Sequence, residues 1–296
     1  GVYRLPKGEY TYSISCSGDK TVKDSFTVSN AAVKISAAVL EVQTAWDGET
    51  YTEPMKNEDG AYLIGSPDEL MWFGKNALMT DCAVLTADIC INEDVSADES
   101  TLYKWTPIGT SSAKYKGSID GGNHTISGLY VNFSANGAGF IGYADADASV
   151  SNLTVNGKII GTKSYTGGIV GDCKGSVTNC HNLAEVNGAK YTGGVVGDLE
   201  NGGTMSECSN SGTVSGGNFV GGVVGRIDSG SSNAVASCCN KGAVSGTTKV
   251  GGVVGDQYAY GSAVSNVYNV GSVTATTGYA GGILGNFRSG TLKNAY

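Results

Sequence analysis

The chain has 296 residues, with 19 Lys and Arg against 27 Asp and Glu, which gives a formal net charge of −8. An acidic chain argues against nucleic acid or an anionic membrane as the main partner, because both attract basic surfaces. The 46 glycines, with only 4 prolines, exclude collagen and disfavour helices, since each interior glycine costs a helix about 1 kcal/mol. No stretch approaches the roughly 20 apolar residues of a membrane-spanning helix, so we expect no membrane insertion. The chain starts without a signal peptide and stops within a repeat, so we expect a fragment of a longer protein.

Residues 1–45 alternate between apolar and polar side chains, with a turn signal at Ser17-Gly18-Asp19. Alternation of this kind predicts β-strands separated by turns. We interpret this segment as the last strands of an immunoglobulin-like or prealbumin-like sandwich. Such a partial β-sandwich would serve as a spacer module.

Residues 46–116 form a lead-in with one strong helix signal, at 66–78. Ser66 fits the N-cap, Pro67 the first helical position and Glu69 the acid of a capping box. The apolar side of this helix consists of Leu70, Met71, Phe73 and Leu78. A short amphipathic helix here would cover the open end of the following domain, which protects strand edges from aggregation.

Residues 117–296 contain an internal repeat, a Gly-Gly-apolar-apolar-Gly motif. Five copies begin at Gly167, Gly193, Gly221, Gly251 and Gly281, and a degenerate copy spans residues 138–142. The second position of the motif recurs every 26 to 30 residues. A fixed period with short, β-branched, glycine-bounded segments is typical of a solenoid with one coil per repeat.

Aligned repeats place like residues in columns, among them the asparagine column Asn182, Asn210, Asn240 and Asn269. The predicted fold is all-β, a parallel β-helix (β-solenoid) of about six coils, with like side chains stacked on neighbouring strands. We take it as right-handed, as parallel crossovers are. Strand alternation allows only one of the two apolar positions in the motif to face inward, so we expect the other to be exposed.

Cys180, Cys208 and Cys238 share one column and would stack one coil apart. Three stacked cysteines cannot all pair, so we expect free thiols acting as small core residues. A bridge between Cys82 and Cys90 across a hairpin is the alternative for that pair. The chain has no Cys-x-x-Cys pair and only two histidines, so we expect no metal centre.

Asp172, Asp198 and Asp256 share a column just after the glycine motif, with Arg226 in the coil between the last two. A solvated ladder of mixed charge explains this column, and a weak Ca²⁺ site is the alternative. A catalytic pair needs acids gathered by residues that break the repeat, and the sequence indicates none. We therefore predict no catalytic residues and no cofactor.

An aromatic column lies two positions before the Gly-Gly pair, and its members are Tyr165, Tyr191, Phe219 and Tyr279. Alternation places it outward, where aromatic faces could stack on sugars or peptides. Loops of variable length follow each motif, and the loop 256–263 adds Tyr258 and Tyr260. These six side chains are the candidate ligand-binding residues; strand propensity with ladder stacking is the alternative explanation for the column.

The segments GGIVG at 167–171 and CSNSGTVSG at 208–216, with their copies, resemble the GLUG-motif repeats of bacterial surface proteins. Upstream, WTPIG at 105–109 and DGGNHTI at 120–126 resemble the lead-in before the first coil of those proteins. The likeness covers roughly residues 46–296. It implies β-helix modules that accompany secreted proteases and adhesins, a Gram-positive gut bacterium as source, and a location at the cell surface.

We therefore expect a non-enzymatic surface module that binds a host glycan or surface protein, attached to the cell wall through regions outside this chain. Two alternatives stay open. A carbohydrate-active β-helix enzyme, a lyase or glycosidase, agrees with the fold and the acidity. A structural stalk of a larger surface protein agrees with the regular coils.

Overall fold

The computed structural model describes residues 8–15, 21–28, 45–96, 98–228 and 232–296. The chain divides into two compact units, residues 1–43 and residues 44–296. In the first unit, β1 (Gly8–Ser15) pairs antiparallel with β2 (Thr21–Val28), and Gly8 lies opposite Val28. The predicted sandwich also needs residues 29–44, which lie outside the described residues, so the spacer module stays a prediction. The predicted boundaries at 45/46 and 116/117 stay predictions as well.

The second unit begins with short strands around one α-helix. Its lead-in consists of β3 (Tyr62–Ile64), α1 (Pro67–Asn76), β4 (Ala83–Leu85), β5 (Ile89–Cys90) and a 3₁₀ turn at Glu99–Thr101. The next strands are β6 (Ser118–Asp120), β7 (Thr125–Phe133), β8 (Ile141–Ala144), β9 (Ser149–Ser151), β10 (Thr154–Gly167), β11 (Val170–Cys173), β12 (Ser176–Thr178), β13 (His181–Asn182), β14 (Glu185–Gly193) and β15 (Val196–Leu199). The remaining strands are β16 (Thr204–Ser206), β17 (Ser209–Asn210), β18 (Val214–Gly221), β19 (Val224–Ile227), β20 (Ala234–Ala236), β21 (Cys239–Asn240), β22 (Val244–Gly246), β23 (Thr248–Gly251), β24 (Val254–Gln257), β25 (Ala263–Asn269), β26 (Val273–Ala275), β27 (Ala280–Gly281), β28 (Leu284–Phe287) and β29 (Thr291–Ala295).

These strands form a parallel β-solenoid of about six coils, which confirms the predicted all-β solenoid. Face one consists of β3, β4, β6, β9, β12, β16, β20, β25 and β29, paired in that order. Face two contains β5, β7, β10, β13, β14, β17, β18, β21, β22, β23, β26 and β27, and β25 pairs with strands of both faces. Face three is the six-stranded sheet β8, β11, β15, β19, β24 and β28. The stack already includes β3 and β4, so parallel pairing extends into the lead-in. The right-handed coil stays a prediction.

The chain turns between faces one and two at a column of residues with left-handed backbone, represented by Asn179 (φ 51°) and Asn152 (φ 54°). Asparagine tolerates this conformation better than most residues. The Asn179 Nδ2 donates to Asn152 Oδ1 at 2.9 Å, so the turn residues are bonded from coil to coil.

Between faces two and three the chain bends at the Gly-Gly pair, and this bend corrects one prediction. Val195 and Val196 are both fully buried, as are Ile169 and Val170. The backbone N–H groups of Ile169 and Val170 both donate to the carbonyl of Val195, at 3.0 and 3.1 Å. Because the pair sits at a corner and not within a flat strand, consecutive side chains both reach the core. The expected exposed apolar column is therefore wrong.

The asparagine column forms the predicted ladder in the buried interior. Asn182 Nδ2 donates to Asn210 Oδ1 at 2.7 Å, Asn210 Nδ2 to Asn240 Oδ1 at 2.8 Å, and Asn240 Nδ2 to Asn269 Oδ1 at 2.7 Å. Each Nδ2 also donates to the carbonyl two residues later, as Asn210 does to Gly212 at 2.8 Å. Both amide protons are thus satisfied, which a fully buried amide requires.

Helix α1 is shorter than predicted, ending at Asn76 and not at residue 78. Ser66 is the N-cap, and its hydroxyl accepts the N–H of Glu69 as expected. Ala77 is extended, and the N–H of Leu78 donates to the Asp81 carboxylate at 2.8 Å. Leu70, Met71 and Phe73 are buried in the core, whereas Leu78 is 68% exposed and does not belong to the apolar side.

The stacked cysteines Cys180, Cys208 and Cys238 are buried, and their thiols donate to backbone carbonyls. Cys82 and Cys90 are free thiols. They do not flank a hairpin, because β4 pairs on face one and β5 pairs on face two.

Candidate functional site

The outer side of face three carries two rows of polar side chains that run from coil to coil. Register pairs Asp172 with Tyr143 and Asp198, Arg226 with Asp198 and Asp256, and Asp256 with Asn286. We call these six residues the first row. The second row lies two residues further along each strand and contains Asp145, Lys174, Glu200, Asp228, Tyr258 and Arg288. The two rows cross the whole face.

Opposite charges pair within and between the rows. The Arg226 guanidinium binds both oxygens of Asp198, at 3.0 Å from Nε and 2.5 Å from Nη2, and Nη2 also contacts Asp228 at 2.7 Å. Lys174 Nζ lies 3.3 Å from Glu200. The bidentate, buried pair of Arg226 and Asp198 fixes side-chain geometry more firmly than an exposed ion pair does.

Asp172 is the exception in the first row, because its carboxyl is buried without full compensation. Its Oδ1 has no hydrogen-bond partner within the described ranges, and the residue is 5% exposed. Burial, with the nearby carboxylates of Glu200 and Asp198, raises the pKa of Asp172 to about 7. Burial also raises the pKa of Asp198 to about 6, against the opposing effect of Arg226. Asp172 therefore gives up its proton at a higher pH than an ordinary carboxyl group does.

The aromatic column forms a stack beside the first row. The rings of Tyr165 and Tyr191 lie 5.5 Å apart at 12°, and those of Tyr191 and Phe219 lie 5.0 Å apart at 30°. Arg226 covers Tyr191, with its Cζ 3.8 Å from the ring centroid. Tyr191 is only 9% exposed, so the expectation of an outward column is wrong for it. The Tyr191 ring is buried because it stacks on the neighbouring rings and lies under the Arg226 guanidinium.

The other predicted site residues are not in this stack. Lys249 occupies the column between Phe219 and Tyr279, with its Nζ 4.5 Å from the Phe219 ring. Tyr279 is 74% exposed, Tyr258 43% and Tyr260 85%. Arg288 lies 4.9 Å over the Tyr258 ring. Tyr260 and Tyr279 therefore present free aromatic surface near the last coils of the described chain, whereas the Tyr258 ring is partly covered by Arg288.

Three carboxylates on this face are spaced as the ligands of a cation would be. One oxygen from each of Asp198, Glu200 and Asp228 lies within 4.8 Å of the others. However, the Arg226 guanidinium already binds both Asp198 and Asp228. The group therefore does not fit a resident Ca²⁺ ion, because the ion would have to displace a bonded cation.

The sequence pointed to Asp172, Asp198, Arg226 and Asp256 of the first row but, apart from Tyr258, to no residue of the second row. Each second-row residue lies two positions after an aligned first-row residue. Because side chains two positions apart point to the same face of a strand, this spacing could have identified the second row. Lys114 also lies close enough to Asp172 to influence the pKa of that carboxyl. It comes from the lead-in, outside the repeat, so no repeat alignment could have found it.

No family model matches the chain. Over 179 residues, 57% of this chain, it is 30% identical to halomucin from Haloquadratum walsbyi. The chain spans about 2% of the length of halomucin. Within the described part of the chain, no helix is both long enough and apolar enough to span a membrane.

Proposed function

We propose that this chain is a non-enzymatic module of the GLUG-repeat type, displayed at a bacterial cell surface, that binds a glycan or a host surface protein. The β-solenoid and the similarity to halomucin fit a surface or structural role. Attachment to the cell wall would use regions outside this chain. Adhesion is the more specific part of the proposal and depends on the exposed tyrosines.

The observation that carries the proposal is the exposure of Tyr258, Tyr260 and Tyr279. An exposed ring costs little to desolvate and offers a face for stacking on a sugar ring. Two of the three are more than 70% exposed, whereas Tyr191 in the stack is covered. Arg288 beside Tyr258 adds a donor fork suited to a carboxylate or a hydroxyl pair.

The test is a glycan and mucin array with three forms of the chain. The binding variant is Tyr258→Ala/Tyr260→Ala/Tyr279→Ala, and the control is Tyr268→Ala, which removes a tyrosine about as exposed as Tyr258 (41% against 43%). We expect the wild type and the control to bind a glycan and the triple variant to lose at least tenfold in affinity. No binding by the wild type would leave the stalk as the better description.

The second candidate, a carbohydrate-active enzyme, has one specific observation in its favour. Asp172 lies in register with Asp198, and burial with the neighbouring carboxylates raises the pKa of Asp172; glycosidases use a pair of carboxyl groups, one of them with a raised pKa, as acid and base. Incubation with a panel of polysaccharides tests it. Turnover that Asp172→Asn abolishes would replace the proposal of a non-enzymatic module with this one.

A further inference from the structure

An open pocket of about 580 Å³ lies where the lead-in meets the first coils, and it is lined by cations. Three lysines line it, Lys114, Lys116 and Lys174, against a single carboxylate, Asp145. Thr80 and Ser112 contribute hydroxyl groups to the lining. In a chain with a net charge of −8, this is a local excess of positive charge.

The carboxylates nearby pair with two of the three lysines and leave Lys114 without an ion pair in the described part of the chain. Lys116 lies 3.7 Å from Asp145, and Lys174 pairs with Glu200 at 3.3 Å. Lys114 has no carboxylate within 4.0 Å among the described residues, and its ammonium group lies beside that of Lys174. Burial lowers the pKa of Lys114, and contact with Lys174 lowers it further, against the attraction of Asp172 and Glu200. A bound anion would relieve the repulsion between the two ammonium groups.

The framework holds these lysines in place before any ligand arrives. Tyr115, between Lys114 and Lys116, is fully buried, and its hydroxyl donates to the carbonyl of Asp81 at 2.7 Å. The N–H of Tyr115 donates to Tyr143 at 2.9 Å, and the N–H of Lys116 donates to Met79 at 2.6 Å. A pre-formed site loses little conformational entropy on binding.

We propose that this pocket binds the oxyanion of an acidic sugar, the carboxylate of a uronic-type residue or a sulfate ester, with Lys114 and Lys174 holding the oxyanion. Thr80 and Ser112 then lie where they can bond sugar hydroxyls. The site is separate from the tyrosines, because Lys174 stands three strands before Tyr258 in the second row. Loss of one site therefore leaves the other to be measured independently.

The test is an NMR titration of the ¹⁵N-labelled full chain at constant ionic strength, with galacturonate, inorganic sulfate and galactose as probes. We expect saturable shifts at residues 79–80, 111–116 and 174, with a millimolar Kd, for at least one anion and not for galactose. Which anion binds distinguishes the carboxylate from the sulfate. The variant Lys114→Gln should weaken binding at least tenfold, whereas Lys163→Gln, which removes an exposed lysine, should leave it unchanged.

A pKa measurement and a second variant test the same site. The pKa of the Lys114 ammonium, followed by its own NMR signal, should rise on saturation with the anion. If Lys114→Gln alters the circular dichroism spectrum, Lys174→Gln replaces it. The proposal is overturned by an equal response to galactose, by the absence of saturable shifts with both anions, or by equal losses in Lys114→Gln and Lys163→Gln.

Discussion

Thr192 places a buried hydroxyl group in a column that continues with valines in the following coils. It pairs in register with Thr166 and with Val220, and Val250 follows in the next coil. All four residues are fully buried, and the valines belong to a small second core inside face two. The Oγ1 atoms of both threonines have no hydrogen-bond partner in the described part of the chain. A buried hydroxyl without a partner is destabilising.

We expect Thr192→Val to raise the free energy of unfolding by about 1 kcal/mol, because it removes an unsatisfied polar atom and keeps the shape of the side chain. Chemical denaturation measures this change. Thr213→Val, at an exposed position, serves as control and should change stability by less than about 0.5 kcal/mol. A destabilised Thr192→Val variant would show that the hydroxyl is bonded in solution.

Asp172 predicts a pH dependence of stability. Its folded pKa of about 7 lies above the ordinary value of 3.8, so between these pH values the folded chain holds a proton that the unfolded chain releases. The stability that this group contributes is therefore present below about pH 4 and is lost as pH rises towards 7.

We expect Asp172→Asn to remove this dependence. At pH 8 the variant should be more stable than the wild type by an amount on the order of 2 kcal/mol, and at pH 4 the two should be similar. Thermal unfolding across this pH range is the measurement. Asp59→Asn, at an exposed position, should leave the profile unchanged. An unaltered profile in Asp172→Asn would mean that other groups cause the dependence.

At the scale of the element, the bend between faces two and three depends on glycine for reasons of space. A Cβ at Gly194 would overlap the carbonyl oxygen of Gly222 and the side-chain carbon of Asn210. The second glycine of each motif is thus the surface on which the asparagine ladder packs. Two recurring positions of the repeat therefore depend on each other, because the asparagine fits only against a residue without a side chain.

We expect Gly194→Ala to lower the free energy of unfolding by about 3 kcal/mol, since the overlap involves backbone atoms that cannot move aside. The same position in the last coil provides a matched control. A Cβ at Gly282 meets nothing within 4 Å, so Gly282→Ala should change stability by less than about 0.5 kcal/mol. Equal effects of the two substitutions, measured by urea unfolding, would contradict the packing explanation.

At the scale of the whole molecule, the asparagine ladder connects four successive coils through the core. We expect Asn210→Ala to cost about 3 kcal/mol, because it leaves a proton of Asn182 and the Oδ1 of Asn240 unpaired. Asn269→Ala, at the partly exposed end of the ladder, should cost less than half as much. Urea unfolding of both variants measures the ratio. Hydrogen exchange should show faster opening in the two coils that flank Asn210, since coils contact only their neighbours.

Much of the solenoid could be predicted from the sequence, because repetition of a coil repeats its register. The columns that contain Asn182 and Cys180 predict from the sequence alone that like side chains stack from coil to coil. The burial of both Val195 and Val196 could not be predicted, since alternation describes a flat strand and the motif forms a corner. Tyr191 was misjudged for a different reason: alternation indicates the direction of a side chain but not that neighbouring rings and a guanidinium group will cover it.

The site was less predictable than the fold. Asp172, Asp198 and Arg226 were visible as a column, but Lys114 reaches the same face from outside the repeat. Ion pairing also depends on side-chain conformation, since Arg226 contacts Asp198 in the preceding coil and Asp228 in its own. Tyr279 has no aromatic neighbour in its column, because Lys249 stands between it and Phe219 and no coil of the described chain follows it.

The in-register columns have a genetic consequence. Each coil presents nearly the same asparagine, glycine and apolar pair to the coil before it and to the coil after it. Duplication or deletion of one repeat in the gene would therefore join two surfaces that already match. Such a change would alter the length of the solenoid by one coil and leave the stacking between neighbouring coils intact.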